Sequence, residues 1–108
     1  MAAYKIVGEK HDQGKPQFRL IPMKALTEQA KVLTFGAMKY SPGGWKDVPD
    51  AHNRYLDAAF RHLVAYSQGE CYDDESGLPH LAHAQCCLSF LLELDLEVQI
   101  KYNGDDND

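Results

Sequence analysis

Apolar residues recur at steps of three and four along three stretches of the chain, and polar segments rich in glycine and proline separate them. Met23, Leu26, Ala30, Leu33 and Ala37 form the first stripe, which predicts an amphipathic helix of about four turns. It begins after Pro22, because proline loses nothing in a first helical turn, and ends near Lys39–Tyr40. The second stretch predicts a helix from about 50 to 68. Leu56, Phe60, Leu63 and Ser67 make one of its stripes; Tyr55, Ala59, His62 and Tyr66 make the neighbouring one. Asp50 stands at a good N-cap position, and Gly69 stands where helices commonly end in a left-handed residue.

The third stretch predicts a helix from Leu78–Pro79 to about Ile100, with Ser76 or Asp74 as its cap. Leu81, Cys87, Leu88, Phe90, Leu91, Leu92, Leu94 and Leu96 cover most of its circumference. A helix apolar nearly all round is buried on several sides, and two short neighbours cannot surround it. The expected fold class is therefore all-α: a small bundle of three main helices with an extended N-terminal arm, completed by association into a homo-oligomer.

The polar segments complete the outline. Residues 1–21 read as the arm, in which FRLIP (18–22) predicts a short strand or a strap across the core. SPGGW (41–45) reads as a loop, residues 69–77 as an acidic loop with Glu70, Asp73, Asp74 and Glu75, and NGDDND (103–108) as a disordered acidic tail. With 108 residues and no linker or repeat, residues 1–108 are expected to form one domain.

Charge and cysteine usage narrow the chemistry. The net charge is −5, which argues against a binder of nucleic-acid polymers, since those show a basic face. Small anionic ligands remain compatible, because a bound metal can supply positive charge. Cys71, Cys86 and Cys87 make an odd set without CxxC spacing, so no disulfide framework is expected. Cys86 and Cys87 lie in an apolar run, where cysteine acts as a small hydrophobe. The first residues lack the apolar core of a secretion signal, and no stretch reaches the roughly 18 apolar residues of a membrane span. A cytoplasmic protein without a membrane partner is expected.

Two helices joined by a short loop pack as antiparallel neighbours. That places His62, near the end of the second helix, beside His80 and His83, which share a face at the start of the third. Imidazole with carboxylate is a ligand set for a divalent transition metal. The candidate ligands are His62, His80 and His83 with Glu70 and Asp74 from the acidic loop. The alternative is three ordinary histidines under a loop whose carboxylates complement a helix N-terminus.

A second group is cationic. Arg54 and Arg61 lie two turns apart, roughly 10 Å, a spacing suited to clamping phosphates; alternatively both pair with Asp57 on the surface. The loop 38–45 offers Lys39, Tyr40 and Trp45 to hold a phosphate and stack on a base, or else its tryptophan packs back on the helices. Lys15 of the arm could reach the same region. No GxSxG elbow is present, and the two apolar-run thiols lack the electropositive setting of a nucleophile.

KPQFRLIP, AKVLTFGAMKY, RYLDAAFRHLVAY, then GE and DESGLPHLAHA resemble the N-terminal domain family of dATP/dGTP diphosphohydrolases, small helical proteins common in phages. The resemblance covers about residues 15–95. It implies metal-dependent hydrolysis of a purine deoxynucleoside triphosphate to the monophosphate and pyrophosphate, in the cytoplasm of an infected host. The chain differs from all-α pyrophosphohydrolases of the MazG and dUTPase kind, whose ExxE and ExxD helix motifs bind magnesium; RHLVA and HLAHA stand here instead. On this reading the metal is Mn, Mg or Zn, held by the histidines with Glu70 and Asp74. Glu75 is the general base, while Lys15, Lys39, Tyr40, Trp45, Arg54 and Arg61 bind the nucleotide. The alternative function is a non-catalytic oligomeric binder, a sponge for a nucleotide or nucleotide-derived signal.

Overall fold

The computed structural model describes residues 11–107, with side chains to Gln99. It contains three α-helices: α1 (Met23–Lys39), α2 (Ala51–Ser67) and α3 (His80–Asn107). The described residues contain no strand, only an isolated bridge between Tyr72 and Pro79. The all-α class and the three-helix bundle thus follow the hydrophobic periodicity. Residues 1–10 of the expected arm, and Asp108, lie outside the described residues.

α2 and α3 are antiparallel, because contacts along them run in opposite order. His62 meets His80 and His83, Tyr55 meets Phe90, and His52 lies 3.4 Å from Asp95. α1 lies along another side of α3. Val32 packs with Ala82 and Cys86 in a small core joined by Leu78 and Phe90. A polar seam runs beside that core: the Gln29 side-chain amide donates to Ser89 (2.9 Å) and accepts from Gln85 (2.7 Å). Small residues are buried on both sides of α3, Ala82 against Val32 of α1, with Ala59 of α2 and Ala84 of α3 also buried. The inward stripe of α2 is the one carrying Tyr55, Ala59 and His62. Leu56, Phe60 and Leu63 of the other stripe stay exposed.

Several local expectations change. FRLIP forms neither strand nor strap: Phe18–Leu20 is a single exposed 3-10 turn, closed by local bonds from the Leu20 N–H to the Gln17 carbonyl and from the Ile21 N–H to the Phe18 carbonyl. Asp50 does occupy the N-cap of α2, but its carboxylate accepts from the Asn53 side chain at 3.0 Å and makes no cap to the backbone. Its backbone is left-handed, at φ 53°, which turns the side chain away from the free N–H groups. α3 starts at His80, one residue later than expected. The Pro79 carbonyl, not Ser76 or Asp74, accepts its first bonds, from Ala82 and His83. α3 also continues past Ile100 to Asn107, so the backbone of 103–107 is helical where a disordered tail was expected. No proline interrupts this stretch, and adding residues to a formed helix is far easier than nucleating one.

α2 ends as its sequence predicts. Gly69 has φ +93°, its N–H donates to the Tyr66 carbonyl, and the Glu70 N–H donates to the Ala65 carbonyl. These two bonds define a Schellman closure, and they fix where the Glu70 side chain begins. Alanine at 69 meets no neighbour but must adopt the left-handed region, at about 1–2 kcal/mol. Gly69→Ala is therefore expected to lower the thermal midpoint by several degrees, roughly 4–8 °C per kcal/mol for a domain near this size. Thermal unfolding followed by circular dichroism measures it, and an unchanged midpoint would contradict the assignment.

Candidate functional site

The loop from Glu70 to Pro79 is folded on itself by its own polar groups. The Asp73 N–H donates to the Leu78 carbonyl and the His80 N–H to the Cys71 carbonyl, at 2.8 and 2.9 Å. The Asp73 carboxylate accepts from the Ser76 N–H, three residues on, at 2.9 Å, a local side-chain-to-backbone bond that holds this carboxylate partly buried and leaves Asp74 exposed. The Ser76 hydroxyl accepts from the Leu78 N–H at 3.1 Å and meets His83 Nε2 at 2.7 Å. Its one proton is therefore free to be donated to that nitrogen.

Three imidazoles converge beneath the loop. The His62 ring stacks on His83 with centroids 4.6 Å apart, and lies 5.1 Å from His80. His62 Nδ1 and His80 Nδ1 face each other at 2.9 Å. His80 is buried, and its Nε2 lies 3.1 Å from a Glu70 carboxylate oxygen. A carboxylate only accepts, so His80 Nε2 carries a proton. In neutral His80, Nδ1 is then the acceptor, and His62 donates to it. A carboxylate holding the outer nitrogen of a histidine is the usual partner of a metal-binding imidazole.

The donor set fits a divalent metal. One ligand atom each from His62, Asp73 and His80 lies within 4.8 Å of the others. The two facing nitrogens are close to the roughly 3.3 Å separation of two imidazoles sharing a tetrahedral ion. Burial, then the neighbouring imidazoles and the Arg61 cation, push His62 below its ordinary value despite Asp73. Burial does the same to His83, with His80 adding to it and Asp73 opposing. Burial alone would raise the Asp73 carboxyl. Hydrogen bonds from Ser76 and the nearby imidazoles outweigh it and hold the group below its usual range.

The depressed histidines fix a sign for pH dependence. Histidine in the unfolded chain titrates near pH 6.5, and the native groups titrate lower. Below about 6.5 the unfolded chain binds more protons than the native one, so this stability is full above 6.5 and lost as pH falls toward the native values. The thermal midpoint is expected to drop on acidification from about pH 7.5 to about 5.5, more steeply than in a His62→Gln/His83→Gln variant. Equal slopes in the two proteins would remove the histidines as the cause.

Beside the cluster lies a cavity of about 810 Å³ between α1, the 41–48 loop, α2 and α3. Val32, Phe35, Cys86 and Phe90 give it an apolar floor, and Lys39, Tyr40, Trp45, Arg54, Glu75 and His83 all line it. Lys39 binds the Glu75 carboxylate across the gap between α1 and the acidic loop. Arg54 is exposed and reaches the Pro49 carbonyl at 3.4 Å. Trp45 stacks on Phe90 with centroids 4.5 Å apart and an angle of 13°, and its carbonyl accepts from the Tyr55 hydroxyl at 2.7 Å. The indole thus packs back on the helices, the alternative raised for it above, and the exposed Tyr40 is the aromatic ring left at the rim.

The structure brings most of the expected residues to two adjoining places. His62, His80 and His83 meet under the loop with Glu70 attached to His80. Lys39, Tyr40, Trp45, Arg54 and Glu75 meet around the cavity, and His83 borders both. Asp74 joins neither group. Lys15 sits on the exposed arm away from the cavity lining, and Arg61 lies outside that lining although its charge reaches His62. Asp73 was missed by sequence reasoning; the DxxS spacing, which lets its carboxylate accept from the Ser76 N–H, distinguishes it from Asp74. Burial first, then the adjacent Cys87, pushes the Cys86 thiol up to about 12, and burial also raises Cys87, which disfavours the thiolate in both.

Fold and site together define an all-α protein with a histidine–carboxylate cluster opening on a ligand-sized pocket. Residues 6–105 match the family model described as dATP/dGTP diphosphohydrolase, N-terminal, and the chain belongs to that family. It is 38% identical over 89 residues to a protein of Salmonella phage PMBT28 named dATP/dGTP diphosphohydrolase. That match covers 82% of this chain and 30% of the phage protein, so the chain spans about a third of that relative's length. No solved structure matches the chain.

Proposed function

We propose that this domain hydrolyses a purine deoxynucleoside triphosphate to the monophosphate and pyrophosphate, with Mn, Mg or Zn, as a homo-oligomer in the host-cell cytoplasm. The observation that carries the reading is the convergence of His62, Asp73 and His80 beside a cavity bearing Lys39 and Arg54. A phage relative named dATP/dGTP diphosphohydrolase supports the substrate class. No helix among the described residues is long and apolar enough to cross a membrane.

His62, Asp73 and His80 would hold the metal, and Glu70 would orient His80 from its outer nitrogen. His83, tied to Ser76 and bordering the cavity, would complete the ligand set or meet the phosphates. A bound divalent ion supplies Lewis acidity and lowers the pKa of water at the phosphoryl group. Lys39 and Arg54 neutralise phosphate charge, Arg61 adds a cation near the histidines, and Tyr40 stacks on the base. Incoming phosphates compete with Glu75 for Lys39 and free this carboxylate to accept a proton. Lys15 belongs to this set only if the arm folds over the cavity or comes from another copy.

Purified protein of residues 1–108, supplied in turn with Mn²⁺, Mg²⁺ and Zn²⁺, is expected to release pyrophosphate from dATP or dGTP and to stop when the metal is chelated. No turnover with any of the three metals would overturn the hydrolytic reading. Recovery of intact nucleotide from a tight, metal-independent complex would instead establish the sponge.

A further inference from the structure

Among the described residues, the segment ahead of α1 carries exposed apolar and basic side chains. Every residue from Asp12 to Lys24 is exposed, including Phe18 at 73% and Leu20 at 67%. The backbone hydrogen bonds within it are local, from Lys15 to Asp12, Leu20 to Gln17 and Ile21 to Phe18. Residues 13–27 contain Lys15, Arg19 and Lys24 and no carboxylate.

The outer face of α3 has the opposite character. Leu88, Leu92 and Leu96 recur every four residues and form one stripe, and all are exposed, Leu92 by 60%. Glu93 and Glu97 flank the stripe on one side and Asp95 on the other, with no cation between 88 and 98. Stripe and arm thus each present an apolar centre with charged flanks, of opposite sign.

We propose that the arm of one copy docks on the outer leucine stripe of α3 in a second copy, with Arg19 of the arm and Lys24 in the first turn of α1 facing Glu93 and Glu97. A two-fold pair makes this contact twice, since each chain offers one arm and one stripe. Burial of Phe18, Leu20, Leu88 and Leu92 supplies the driving force, and the charges fix the direction in which the arm lies. The inference rests on the assembly proposed above and not on its chemistry.

Sedimentation velocity of the full chain over a concentration series tests it, with circular dichroism confirming that each variant is folded. The wild-type chain is expected to be a dimer or a multiple of one. Phe18→Asp/Leu20→Asp, and separately Arg19→Glu/Lys24→Glu, are expected to raise the dissociation constant at least tenfold. Adding Glu93→Lys/Glu97→Lys to the second variant is expected to restore association. A monomeric wild-type chain overturns both the assembly and the arm contact. An assembly unaffected by either arm variant overturns the arm contact alone, and loss without charge-swap rescue overturns its placement on α3.

Discussion

His80→Ala is expected to lose metal-supported turnover by about 1,000-fold or more. A divalent ion at a phosphoryl group is worth several kcal/mol, and each 1.36 kcal/mol is tenfold in rate. His80 joins the parts of the cluster: Nδ1 faces His62, Nε2 meets Glu70, and the ring is buried at the start of α3. Its removal would take away one proposed ligand and, in the metal-free protein, the acceptor that His62 Nδ1 faces. Glu70→Gln keeps the shape but loses the carboxylate that holds the His80 tautomer, and a smaller fall of about 10–100-fold is expected. Calorimetric titration with Mn²⁺ or Zn²⁺ should show both variants weakened in metal binding, in the same order as their activities. Full activity in a folded His80→Ala protein would remove the histidine cluster from the reaction.

The gap between His80 and Glu70 in this ranking also shows what the sequence revealed. Spacing was enough to place His62, His80 and His83 at one end of an antiparallel pair, because two helices joined by a short loop pack side by side in opposite directions. Gly69 was legible for a similar reason: only a left-handed residue closes α2 there. The loop carboxylates were not legible. Asp73 and Asp74 are adjacent and chemically identical, and the choice between them is made by the Ser76 N–H, whose bond turns Asp73 inward. Glu70 was expected as a ligand; its bond to the outer nitrogen of His80 fits the proposed role of orienting that ring instead. Trp45 was ambiguous because a glycine-rich loop permits an indole to face either way, and the Phe90 ring decides it. The ends of α3 were misplaced because caps depend on backbone turns that side-chain periodicity does not encode.

Phe90→Ala is expected to have the largest effect on stability, and to act on the cavity as well. Phe90 stacks on Trp45, contacts Tyr55 at 4.9 Å between centroids, and packs against the Val32–Ala82–Cys86 core. Full Phe→Ala truncation in a core costs about 3–5 kcal/mol; with Phe90 half-buried, about 2–4 kcal/mol is expected. That is a large part of the roughly 5–15 kcal/mol available to a small domain, and it should lower the thermal midpoint by more than about 10 °C. The second effect follows from the first. Without its partner ring, Trp45 loses the surface that fixes the 41–48 loop, and the wall between the apolar floor and Tyr40 loosens. Nucleotide affinity should fall even at temperatures where the variant is folded, whereas metal binding at His62 and His80, on the far side of His83, should change little. Phe90→Leu separates the two roles: it refills most of the volume and recovers most of the stability, but offers no flat face to the indole. If Phe90→Leu regains both stability and nucleotide affinity in full, the ring stack contributes nothing beyond packing. If it regains stability while affinity stays low, the Trp45–Phe90 stack shapes the nucleotide side of the site independently of the metal side.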